Sequence, residues 1–224
     1  MDTTLQPAAT DDAPSSERIP ARWALWGVAA AVFGVAGNFL AAHARFENAG
    51  PAEAVAVDRW TQHVGTLLGM ASFACLLVVA AAWSRWAGQA AGLAAQTIAP
   101  ALTATATLVL LGTGLRGALS EYLPGGINDD NFSDDGPYVL FMLHDTAPWF
   151  AWWGVLVVAA ASIPLAFRRG LFPRWLGVLS IVALVPPVAV MVGSGAVALA
   201  GAIGPLWFAV MSLTVALRGL PRIP

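Results

Sequence analysis

Three histidines, one of them beside an aspartate, are the residues of this chain best suited to chemistry: His43, His63 and the pair His144–Asp145. Neutral imidazoles with a carboxylate suit zinc or copper, so His43, His63 and His144 form a candidate metal set. No local spacing of the His-x3-His kind draws them together, so the fold would have to assemble such a site. His144 and Asp145 are also candidates for general acid–base catalysis on a lipid-like substrate, which needs a group within about 3 Å of the reacting atom. Arg116 and Glu121 add a guanidinium and a carboxylate, and Trp149 and Trp152 cluster with Phe150 and Trp153. Such a cluster offers an aromatic wall to a hydrophobic ligand. His63, Arg116, Glu121, Trp149 and Trp152 are therefore the candidate ligand-binding set. Each also has a plainer reading. Histidines scatter over interfacial loops, an arginine snorkels or pairs with a nearby carboxylate, and tryptophans anchor at the membrane surface.

A calcium reading is weaker. Asp129, Asn131 and Ser133 match the first alternating ligand positions of an EF-hand loop. Asp134 then stands where the turn glycine belongs, and Leu140 where the terminal glutamate belongs, so a solvated loop is expected. Asn131-Phe132-Ser133 is a formal glycosylation sequon.

The elements that must position these groups are apolar helices. Hydrophobic residues make up 58% of the chain and charged residues 11%, against roughly a quarter charged in soluble domains. All 11 basic residues are arginine and the net charge is −2, so there is no basic face for nucleic acid. The single cysteine, Cys75, lies within an apolar run and reads as packing. Asp145 to Val192 shows the pattern most plainly: two apolar runs flank Arg168-Arg169-Gly170-Leu171-Phe172-Pro173-Arg174-Trp175. Each run has about the twenty residues needed to cross a hydrocarbon core of about 30 Å. The turn between them carries the arginines and tryptophan of a cytoplasmic interface.

Repeating this reading along the chain predicts an all-α protein with six transmembrane helices in one bundle. The spans fall at about 23–42, 64–83, 99–119, 148–167, 175–192 and 196–217, with outer loops at about 43–62 and 120–147. Residues 1–20 are polar, acidic and Pro/Ser-rich, and read as a disordered cytoplasmic tail before a membrane domain at 21–224. Ala42-His43-Ala44 resembles a signal-peptidase site, but the preceding apolar run is long for a signal, so an uncleaved span is expected. Gly50-Pro51-Ala52-Glu53 is a helix start that could run on to Trp83. Pro137 could open the fourth span early, placing His144 and Asp145 beneath the membrane surface; Pro148 would then offer no N–H to the His144 carbonyl.

Arginine placement orients the bundle. With both termini in the cytoplasm, eight arginines (18, 22, 85, 168, 169, 174, 218, 222) fall on the inner side and three (45, 59, 116) on the outer. That is the positive-inside pattern of a multi-pass protein of the inner (plasma) membrane. No Asp, Glu, His, Lys or Arg lies near the middle of a span, which argues against an ion-coupled carrier.

Phe172-Pro173-Arg174-Trp175-Leu176-Gly177 carries a resemblance. A Pro-Arg-Trp-Leu-Gly turn between two spans is similar to that of an uncharacterised family of small six-helix integral membrane proteins of actinobacteria. The resemblance implies a six-helix bundle; that family has no assigned catalytic residues, so none carries over to this chain. The expected role is an accessory or small-hydrophobic-ligand-binding membrane protein with an outward-facing polar site. The alternative is a membrane-embedded enzyme acting through outer-face His, Asp and Arg residues, with or without zinc or copper. Expected partners are the lipid bilayer, a hydrophobic small molecule or another membrane protein, and no nucleic acid.

Overall fold

The computed structural model describes residues 18–40, 50–88 and 92–222. Six helical segments in it are long and apolar enough to cross a membrane. The chain is therefore an all-α, multi-pass bundle, as its hydropathy predicts.

A 3-10 turn at Arg22–Ala24 leads into α1 (Leu25–Leu40). The short α2 (Pro51–Val55) precedes the long α3 (Arg59–Ala87) and α4 (Gly92–Tyr122). Helices α5 (Asp135–Phe150) and α6 (Trp153–Phe167) together make the fourth crossing, followed by α7 (Arg174–Ser194) and α8 (Leu199–Arg218). At about 1.5 Å per residue α3 and α4 exceed 40 Å, so both project beyond a core of about 30 Å. Val178, Val182 and Val185 of α7 and Leu206, Leu213 and Leu217 of α8 face outward. Such a surface belongs against hydrocarbon, because a soluble domain exposing it would aggregate.

The helices overrun the apolar windows. The second crossing starts at Arg59 rather than 64 and the third at Gly92 rather than 99, because backbone hydrogen bonding continues past the point where side chains turn polar. The continuous helix expected from Pro51 to Trp83 is instead broken at Ala56–Asp58. Its start is as read, with Pro51 in the first turn and Glu53 Oε2 accepting the Gly50 N–H at 2.8 Å. Asp58 then begins a new helix: its Oδ2 accepts the Thr61 N–H at 2.9 Å and its carbonyl accepts the Thr61 hydroxyl at 2.8 Å. An aspartate at an N-cap competes well with helix continuation.

Helix α5 starts at Asp135, so much of the loop expected over 120–147 is helical. The fourth crossing is interrupted at Ala151–Trp152, one turn past Pro148. Trp152 leaves the helical region (φ −81°, ψ 2°) and its carbonyl accepts the Val155 N–H at 3.0 Å, a tightened turn.

At the arginine-rich end Trp83 is fully buried, not an interfacial anchor. Its Nε1 donates to the Ala95 carbonyl at 2.8 Å, and Trp23, Trp86 and Phe172 pack around its ring. The polar tail expected over 1–20 ends in structure. Arg18–Ile19 pairs antiparallel with Leu220–Pro221, while residues 1–17 lie outside the described region. Trp86 Nε1 donates to the Pro221 carbonyl at 3.2 Å, tying this clasp to α3.

Candidate functional site

Small residues let four helices close around one cation. Gly37 of α1 lies so near α3 that an added Cβ would come within 3.1 Å of the Gly65 carbonyl oxygen. Gly112 of α4 lies so near α5 that an added Cβ would come within 3.0 Å of the Pro148 nitrogen. Because α4 and α5 run antiparallel, one turn toward the acidic loop from that contact reaches Arg116 on α4 and His144 on α5. Both are buried, each 3% exposed. Asn38 of α1, Gln62 of α3, and Thr113 and Ser120 of α4 are buried as well. Thr66 of α3 faces Gly117, next to Arg116. A polar layer therefore spans the bundle one or two turns inside the loop end.

Arg116 is the centre of the layer. Its Nη1 donates to the Gly37 carbonyl at 3.0 Å. Nη2 reaches Asn38 Oδ1 at 3.5 Å, and Asn38 Nδ2 reaches the Pro148 carbonyl at 3.5 Å. Both Asn38 contacts are longer than the usual 2.7–3.2 Å of a good N–H···O bond. Arg116 Nε is buried and donates to nothing. No salt bridge to Arg116 forms among the described residues: its hydrogen bonds go to a carbonyl and an amide. The expectation that Arg116 snorkels to the surface or pairs with an outer carboxylate is thus corrected. Helix α4 extends beyond it to Tyr122, so the side chain is enclosed before it can reach water.

The other candidates scatter. His144 is inside the layer, with Nδ1 2.8 Å from the Phe141 carbonyl. Asp145, its neighbour, is exposed, since consecutive helical residues point about 100° apart. His63 is exposed and packs edge-on against Trp60. Glu121 is exposed and accepts from Asn128 Nδ2 at 3.3 Å, which shapes the loop rather than the layer. His43 lies outside the described residues. Among the described residues no group of three or more His, Cys, Asp or Glu side chains is placed to hold a metal ion. In the acidic loop, Asp129 Oδ2 accepts the Gly125 N–H at 3.0 Å, so that carboxylate folds its own turn.

The two tryptophans border the layer. Trp152 is buried with its ring over Gly34. Trp149 is half-buried and meets Phe39 edge-to-face, centroids 5.5 Å apart, and Phe39 is exposed. Asn38, Gln62, Thr66, Thr113 and Ser120 are members of the layer that the candidate set left out, and the two amides stand out among them. Asn38 is the one side-chain amide of α1, and Gln62 sits one turn before Thr66; both signals were legible. No protein family, curated protein or solved structure matches this chain.

Proposed function

We propose that this is a multi-pass protein of the plasma (inner) membrane, with both termini cytoplasmic, that binds a small hydrophobic molecule at its outward end. Binding rather than catalysis is favoured because His144 and Asp145 face different surroundings, one buried and one exposed. The observation that carries the reading is the enclosed, incompletely bonded guanidinium of Arg116. A buried charge without a counter-charge is costly, and a protein that maintains one commonly uses it. The arginine distribution supports the orientation. An accessory role beside another membrane protein is compatible with the same site.

The test is a photoactivatable long-chain alcohol titrated into the full chain in lipid nanodiscs. Saturable crosslinking to α1 and α5 near Asn38 and Trp149, mapped by peptide mass spectrometry, is the expected result. Labelling that never saturates and follows lipid exposure along α7 would end this reading.

A further inference from the structure

We infer that the ligand is an amphipathic acid that enters from the bilayer between α1 and α5 and seats its oxyanion head on Arg116; this rests on the binding role proposed above. The guanidinium supplies the first argument. Nε–H and one Nη2–H point the same way and form the edge that receives a carboxylate or phosphate with two parallel hydrogen bonds. That is the edge left open here: Nε has no partner, and Nη2 has only the 3.5 Å contact with Asn38. Nη1, on the other side, is engaged by the Gly37 carbonyl at 3.0 Å, which holds the group in place.

The second argument is the seam. Helices α1 and α5 are not packed along their lengths. They meet where Asn38 approaches the Pro148 carbonyl at 3.5 Å and where Phe39 meets Trp149. Helix α1 is otherwise held by α3 and α8, and α5 by α4, α2 and α8, whose Gly201 lies against Trp149. The Asn38 amide thus closes the layer with two weak bonds, and swinging it aside costs little. Its displacement uncovers the open edge of Arg116.

Outside the seam, Phe39 is exposed and Trp149 half-exposed, next in sequence to Asn38 and Pro148 respectively. An acid whose head reaches Arg116 lays its tail along this aromatic pair and into the bilayer. Among the described residues the Arg116 guanidinium has no carboxylate partner, so a singly charged carboxylate or phosphodiester head fits and an ammonium does not. No bond is made or broken.

Three photoactivatable probes of one chain length, bearing a carboxylate, an alcohol and an amine head, are compared on the full chain in nanodiscs. The acid should half-saturate at a concentration at least about tenfold below the alcohol, and the amine should not saturate. Arg116→Lys keeps the charge and removes the two-pronged edge, and should bring the acid to within about twofold of the alcohol. The contrast between acid and alcohol in the unaltered protein stands even if that variant misfolds. Equal saturation by acid and alcohol would overturn the acid assignment while leaving hydrophobic binding intact; saturation by neither would remove both. Competition by butyrate as effective as by hexadecanoate would overturn the amphipathic ligand and its entry from the bilayer in favour of a free small acid. Competition confined to long-chain acids or alkyl phosphates identifies a lipid.

Discussion

A guanidinium buried with no carboxylate facing it among the described residues is a burden on the folded state, and Arg116 makes that burden measurable. Replacing buried charges with apolar groups of similar volume is often stabilising by a few kcal/mol. Arg116→Met should therefore raise the apparent melting temperature of the unliganded protein in detergent, by the equivalent of about 2 kcal/mol, while abolishing preference for the acid probe. A fall in melting temperature would mean that the bond to the Gly37 carbonyl outweighs desolvation. Asp145 provides the contrast. It is exposed, so Asp145→Asn should change probe half-saturation by less than about twofold, as surface substitutions away from a site usually do. A large loss in that variant would restore Asp145 to the site.

Helix contacts set the positions of these groups, and two are open to direct test. At Gly112 alanine improves helix propensity by about 1 kcal/mol. Its Cβ, however, would lie 3.0 Å from the Pro148 nitrogen, and backbone cannot move aside as a flexible side chain can. Overpacking should win, so Gly112→Ala should destabilise by about 1–3 kcal/mol, read as a lower melting temperature. Trp83 at the opposite end holds the start of α4 through the Ala95 carbonyl. Trp83→Phe removes the indole donor from a carbonyl that the helical N–H four residues on also serves, and should cost about 0.5–1.5 kcal/mol, read as a lower melting temperature. Both sites also show what patterning could reveal of the elements. The glycines of α1 and α4 permit close approach, but nothing in their spacing says which helix approaches. A tryptophan near the end of a span, such as Trp83, has the position of a surface anchor, whereas the clasp of Arg18–Ile19 on Leu220–Pro221 and the turn at Phe172 cover that end.

For the molecule as a whole, orientation is the open question with the simplest measurement. The one native thiol, Cys75, is buried and free, so an impermeant maleimide should leave the parent protein unlabelled in intact cells. Asp130→Cys should then label from outside, and Arg169→Cys only after the membrane is permeabilised. The reverse pattern would place the Arg116 layer on the cytoplasmic side and change the pool of acids available to it.

Helix type, the number of crossings and the gathering of arginines at one end followed from composition and periodicity. Each depends on residues near one another in the chain and on a solvent, the bilayer, that imposes the same length on every span. The helix starts at Gly50–Glu53 and near Pro137 were legible for the same reason, because capping chemistry is local. The break at Asp58 was equally local, and its Thr61 partner could have been weighed against helix continuation. The polar layer was different. That Arg116 meets Asn38 and His144 turns inward, while His63, Glu121 and Asp145 turn outward, depends on how α4 is rotated against α1, α3 and α5. That rotation is set by glycine contacts between residues tens of positions apart, and only tertiary packing could choose it.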